Sequence, residues 1–166
     1  MFHMTNDSHL FKRRDELEAQ GWYPAGANRW KKGAAEAVPL YEGKMVQMYD
    51  HRAANVVMNV HNLHRPAQQE TNTIVQHADP AFSAMSQFWV NIADVHQIYS
   101  GGWAVAFKEI TAPTNARSMI ACIVPGCGFG NKLPLWLPEA DSTQGYANIA
   151  PLLMANFNAF VFDFVV

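Results

Sequence analysis

Val38-Pro-Leu-Tyr-Glu-Gly-Lys-Met-Val-Gln-Met48 runs through Tyr49-Asp-His-Arg52 toward Asn55-Val-Val-Met-Asn-Val-His-Asn62, and the reading of this stretch decides the fold. The first and last segments predict strands. In the last, Val56, Met58 and Val60 alternate with Val57, Asn59 and His61, which puts apolar groups on one face at a period of two. Between them Asp50, His51 and Arg52 set three polar heads side by side in a turn. Tyr41 and Tyr49 bracket the run that carries Lys44.

Outward from this centre the chain reads as α+β. Asp7 or Ser8 caps a predicted helix from about Leu10 to Gln20, stopped by Gly21, with Leu10, Phe11, Arg14 and Leu17 spaced for one half-buried face. Gly21-Trp-Tyr-Pro24 breaks it. Residues 65–82 are polar, with Pro66, three Gln and Asp79-Pro80, and predict a loop. Further strands are predicted near Phe88–Ile92, Trp103–Ile110 and Ser118–Val124. A helix is expected from about Ala150, with Pro151 in its first turn, where a missing N–H costs nothing. The expected architecture is one domain, residues 1–166, with a mixed or antiparallel sheet, an N-terminal helix and a long apolar C-terminal helix.

A hydrophobic fraction of 49% and a charged fraction of 16% exclude a disordered chain. So few charges, beside 12% aromatic residues, predict apolar surface that meets another domain. Net charge is −2, so no global basic field marks a polyanion partner, but the distribution is uneven. Residues 29–65 hold six cations (Arg29, Lys31, Lys32, Lys44, Arg52, Arg65) against three carboxylates, a balance of +3. Residues 66–166 hold three cations against seven carboxylates, a balance of −4. A local basic zone on an acidic body suits phosphates.

Cys122 and Cys127 suit a reducing, cytoplasmic setting and give no disulfide framework. Cys-x4-Cys and His61-x-x-His64 lack the partner ligands of a zinc site, so no metal is expected. The first twenty residues contain no apolar run of signal-peptide length.

Five segments resemble a known family. Leu40-Tyr-Glu-Gly-Lys-Met45 with Tyr49-Asp-His-Arg52, Trp103-Ala-Val-Ala-Phe-Lys-Glu-Ile-Thr111, Thr114-Asn-Ala-Arg-Ser-Met-Ile-Ala-Cys-Ile-Val-Pro125, Asn131-Lys-Leu-Pro134 and Leu152-Leu-Met-Ala-Asn-Phe-Asn-Ala-Phe-Val-Phe-Asp163 stand in the family's order and span most of the chain. Together they resemble the target-recognition region of large adenine-specific DNA methyltransferases, including single-chain, type IIG-like restriction-modification enzymes. The resemblance implies that this chain is part of a larger enzyme that transfers a methyl group from S-adenosylmethionine to adenine N6 on a base flipped from the duplex. Duplex DNA and the parent's own methyltransferase domain would be its partners.

What the sequence lacks assigns the role within such an enzyme. Methyl transfer to an amino group needs an [Asn/Asp/Ser]-Pro-Pro-[Tyr/Phe] loop to hold the base, and no Pro-Pro dipeptide occurs. Cofactor binding needs a Gly-rich strand-to-helix turn. Gly126-Cys-Gly-Phe-Gly130 leads into Asn-Lys-Leu-Pro instead of an obvious helix. The expectation is a DNA-holding piece without catalysis or cofactor of its own. Adjacent Asp50 and His51 on extended chain point to opposite sides, which excludes a triad built on that pair.

Lys44 and Arg52 are candidate phosphate or base contacts, because a long cation on a strand or turn reaches a groove and Arg binds guanine bidentately. The alternative for Arg52 is an ion pair with Asp50 or Glu42 that fixes the turn. His51 beside Arg52, and Asn131 and Lys132 after Gly130, complete the candidate DNA contacts. Tyr41, Asp50, Trp103 and Arg117 are read as structural, Arg117 standing at the head of a buried strand. The alternative for the whole chain is a structural or interaction domain that packs against its catalytic domain and never touches DNA.

At the C-terminal end Tyr146, Ile149, Leu153, Phe157, Phe160 and Phe164 follow helical spacing, and Leu152, Met154, Val161 and Val165 make neighbouring faces apolar. Asn148, Asn156, Asn158 and Asp163 argue against a membrane span. No Gly, Asn or basic residue closes this helix, so the chain is expected to continue in a longer parent and to self-associate where it does not.

Overall fold

The computed structural model describes residues 1–59, 61–62, 64–112, 115–137 and 143–165. Val60 and Thr114, named above, lie outside the described residues. The architecture is α+β with antiparallel sheets.

The first sheet is built around β3 (Ala35–Tyr41), whose last five residues are all buried, as a central strand requires. β1 (Tyr23–Pro24) pairs antiparallel with β2 (Trp30–Lys32), β2 with β3, and β3 with β6 (Trp89–Asn91). β9 (Gly128–Phe129) joins the far end of β3 in parallel, Leu40 opposite Gly128 and Tyr41 opposite Phe129. Pro39 tolerates this central position because it lies between the reach of β2, which pairs with Ala35–Ala37, and that of β9. Gly128 is required by space: a Cβ there would sit 2.6 Å from Val90 Cγ2.

A second sheet orders β10 (Leu135–Trp136), β7 (Trp103–Phe107) and β8 (Ala121–Pro125). Its apolar face meets the first sheet in one core containing Val38, Leu40, Val90, Val105, Val124 and Leu133. A smaller cluster of Leu17, Trp30, Ala37 and Trp89 lies under helix α1 (Arg14–Ala19). β4 (Ala54–Met58) pairs with β5 (Ala67–Thr71) as a two-stranded ribbon. Helix α2 (Ile74–Ala78) follows the ribbon and α3 (Ile92–Ile98) follows β6.

Several local expectations are corrected. α1 starts at Arg14, not Leu10, because Lys12 exchanges both backbone hydrogen bonds with Trp89 and is held extended. The strand expected to reach Met48 ends at Tyr41, and Gly43–Met45 forms a 3-10 turn with Met45 buried. The polar stretch 65–82, expected to be a loop, contains β5 and α2. β5 forms because β4 offers it a complete backbone ladder, and its polar side chains stay in water. The segment after Asn91 turns into α3 because the Asn91 carboxamide accepts from Ala93 N at 2.9 Å and caps a helix.

The single C-terminal helix is replaced by two, α4 (Thr143–Phe157) and α5 (Phe160–Val165), with Pro151 inside α4. The break has a cause. Asn158 sends its carboxamide to the backbone of Ala121, Nδ2 donating to the carbonyl at 3.1 Å and Oδ1 accepting from the N–H at 3.2 Å. Asp163 accepts from the N–H groups of Ser118 and Met119, each at 2.7 Å. The buried row is Tyr146, Ala150, Met154 and Asn158, one residue in four, while Leu152, Phe160 and Phe164 stand outside, Phe164 at 93% exposure. No helix among the described residues is long and apolar enough to cross a membrane.

Candidate functional site

The Asp50-His51-Arg52 turn connects the first sheet to the β4–β5 ribbon. It opens with a tight turn in which Gln47 N donates to Asp50 O at 2.7 Å and Asp50 N to Gln47 O at 2.9 Å. Tyr49 takes the left-handed backbone conformation, φ 63°, at a strain of about 1–2 kcal/mol for a residue with a side chain. Tyr49 N donates to Ala121 O at 3.0 Å and ties the turn to β8.

The three polar heads then separate by role. The Asp50 carboxylate accepts from Arg52 N at 2.7 Å and lies 3.6 Å from His77 Nε2 on α2. The Arg52 guanidinium donates to three backbone carbonyls, His77 and Asp79 at 3.0 Å and Phe82 at 3.1 Å. It thus brackets the C-terminal end of α2 and the loop beyond, where helix carbonyls lack intrahelical partners. The ion pair with Asp50 or Glu42 considered from the sequence does not form: Arg52 belongs to no ion pair among the described residues. His51 is half-buried, and burial, followed by the Arg52 cation beside it, holds its pKa below the usual value.

His51 and Arg52 line a cavity of about 400 Å³ with Tyr41, Phe82 and the loop that joins β1 to β2. That loop supplies Arg29, which the basic zone of the sequence contained but no motif singled out. The Gly26-Ala27-Asn28 turn before it was the available signal. Burial pushes the Tyr41 phenol well above its usual range. Cys127 forms part of the wall, and its burial raises the thiol well above the usual value, which makes it a poor nucleophile.

Lys44 and Lys132 meet elsewhere, in a hollow of about 170 Å³ lined also by Glu42, Gly43, Gly130 and Ile110. Lys44 Nζ lies 3.1 Å from Glu42 Oε2 and donates to Ala67 O at 3.3 Å. Lys132 Nζ, half exposed, lies 2.7 Å from Glu109 Oε2. Asn131 adjoins this hollow and is tied to the N-terminal segment, its N–H donating to Phe2 O at 2.8 Å. Gly43 lets the two segments close, because a Cβ there would meet the Lys132 carbonyl oxygen at 2.9 Å. The five residues read as DNA contacts therefore fall into two groups, His51 with Arg52, and Lys44 with Asn131 and Lys132.

Trp103 stacks on Tyr146 with ring centroids 4.8 Å apart, and Tyr146 Oη donates to Trp136 O at 2.8 Å and accepts from Val105 N at 2.7 Å. Arg117 donates to Asn158 O, lies 3.3 Å from Asp163 Oδ2 and sits 4.0 Å over the Phe160 ring. Both residues hold α4 and α5 to the second sheet. No group of three His, Cys, Asp or Glu able to hold a metal ion occurs among the described residues.

No family model, curated protein or solved structure matches this chain.

Proposed function

We propose that the chain is the DNA-binding target-recognition module of an adenine-specific DNA methyltransferase of a type II restriction-modification system, a cytoplasmic protein whose methyl transfer from S-adenosylmethionine is the work of its parent's methyltransferase domain. The observation that supports this reading is that the segments carrying the resemblance are contiguous in space. Tyr41 pairs with Phe129, and Gly43 packs on Lys132. Trp103–Phe107 is zipped to Ala121–Pro125. Asn158 and Asp163 clamp Ser118, Met119 and Ala121. Residues scattered from 40 to 163 thus make one connected scaffold, and beside its hollow lie Lys44, paired with Glu42, and Lys132, paired with Glu109, which a duplex phosphate would have to draw from those carboxylates.

The second reading, a module that packs on its catalytic domain without touching DNA, draws on the exposed apolar side chains of α4 and α5, among them Leu152, Phe160 and Phe164. Fluorescence anisotropy with a labelled duplex separates the two. Under the first reading affinity falls with salt at a log–log slope of about −0.9 per neutralised phosphate. Lys44→Glu combined with Lys132→Glu abolishes binding while the circular dichroism spectrum is unchanged. Absence of duplex binding at about 50 mM salt, or a double variant that binds as well as the parent chain, overturns it. Calorimetry with S-adenosylmethionine is expected to show no saturable binding.

A further inference from the structure

The 400 Å³ cavity has a lining that the proposed duplex contact does not use. Arg29, Arg52, His51, Tyr41, Asn28 and Ser83 line it, and among the described residues no Asp or Glu does. Arg29 is compensated by Glu36 at 2.7 Å, with Nη2 donating to Gly126 O at 3.2 Å. Among the described residues Arg52 has no carboxylate partner and is held by carbonyl dipoles. Of its five N–H donors three are used, and two have no partner among the described residues. A wall with one unneutralised cation and spare donors on two guanidinium forks selects an anion with several acceptor oxygens.

The rest of the lining selects an organic anion. Phe82, Pro39 and Pro80 give the cavity apolar faces, and its volume falls near the lower end of the range of small-molecule sites, about 300–1,000 Å³. The wall is also built at a conformational cost. Gly26, Ala27 and Asn28 take φ of 80°, 47° and 56°, three successive left-handed residues of which two carry side chains. Asn28 is fixed there by Nδ2 donating to Ala84 O at 3.0 Å and by its carbonyl accepting from Trp89 Nε1 at 2.7 Å. Arg29 is therefore presented by a loop tied at Asn28 to Ala84 and Trp89.

We infer that this cavity is a binding site for a phosphate ester of nucleotide size, its phosphate taken by Arg29 and Arg52 and its organic part lying against Phe82 and Pro39. The same chemistry is offered by a free mononucleotide and by a nucleotide unit turned out of a DNA strand. The inference stands on the cavity's own lining and holds whether or not the chain binds duplex DNA.

Calorimetry with adenosine 5′-monophosphate, adenosine and succinate tests the class of ligand. The monophosphate is expected to bind at least about tenfold more tightly than either of the others, and Arg29→Gln and Ser83→Trp are each expected to weaken it about tenfold or more. In the unaltered chain the His51 ring resonances are expected to shift on titration, a readout that does not depend on any variant folding. Two duplexes, one fully paired and one carrying a single extrahelical nucleotide, distinguish the sources. A preference for the extrahelical duplex over the monophosphate assigns a strand nucleotide, and binding of the monophosphate alone assigns a free one. Equal binding of adenosine, succinate and the monophosphate, no saturable binding of the monophosphate or the extrahelical duplex, folded variants that bind unchanged, or His51 resonances that stay fixed at saturation would each overturn the inference.

Discussion

Arg52→Lys keeps the positive charge of the Asp-His-Arg turn and removes the planar fork. In the parent chain that fork holds the carbonyls of His77, Asp79 and Phe82 at 3.0, 3.0 and 3.1 Å. A lysine ammonium is a single compact centre and reaches about one of the three. Hydrogen bonds from a charged donor contribute about 1.5–3 kcal/mol each at buried sites. The residue is only partly buried and water replaces part of what is lost, so the two missing bonds amount to about 1–2 kcal/mol together. For a chain of this size that lowers the melting temperature by about 2–8 °C. Differential scanning calorimetry and urea unfolding measure it, and amide exchange is expected to accelerate in residues 77–82, the segment the fork restrains. Arg52→Met, which keeps no donor, is expected to lose more. A stability change for Arg52→Lys below about 0.5 kcal/mol, with unchanged exchange in the loop, would refute the bracket and return Arg52 to a role as a solvent-facing cation.

Asn158→Leu leaves the buried Ala121 N–H without a partner and its carbonyl with Tyr49 N alone, and is expected to destabilise by about 1–3 kcal/mol in urea unfolding, whereas a loss below about 0.5 kcal/mol would show that α4 and α5 do not depend on this clamp. The N–H of Met119, followed by Ser118, holds the Asp163 carboxyl below the usual carboxylate range, so its contribution is complete above the ordinary value of about 3.9 and is lost as pH falls through the lower folded value. The acid limb of a stability–pH curve should therefore flatten in Asp163→Asn, and superimposable acid limbs would count against the clamp. Gly43→Ala drives a methyl group to 2.9 Å from the Lys132 carbonyl and is expected to cost about 1–3 kcal/mol by thermal unfolding, and a neutral result would mean that the two motif segments separate freely.

The apolar runs made β3, β7 and β8 legible, because strands buried on both faces need nearly continuous apolar residues: Val38, Leu40, Val105, Ala121 and Val124 are all buried. The polar Ala67-Gln-Gln-Glu-Thr71 carried no such signal. Its strand exists because β4 supplies backbone partners, and backbone hydrogen bonding leaves no mark on side-chain pattern. The split of the C-terminal helix was hidden for a related reason. Helical periodicity continues through Asn158, but its carboxamide is taken by Ala121, far away in sequence, and only the fold brings the two together. The exposed Leu152, Phe160 and Phe164 fit the same spacing as the buried Tyr146 and Met154, so periodicity could not say which apolar stripe faces inward.

The sequence by itself determined the class of the fold and the concentration of cations between residues 29 and 65, because composition and local propensity are properties of the chain. Only the tertiary structure decided what those cations do. The partners of Arg52 are carbonyls of His77, Asp79 and Phe82, those of Lys44 are Glu42 and the Ala67 carbonyl, and Arg29 reaches the His51 cavity through a strained loop. A charge is written in the sequence, but its compensation depends on which backbone dipoles and opposite charges the fold sets within a few ångströms of it.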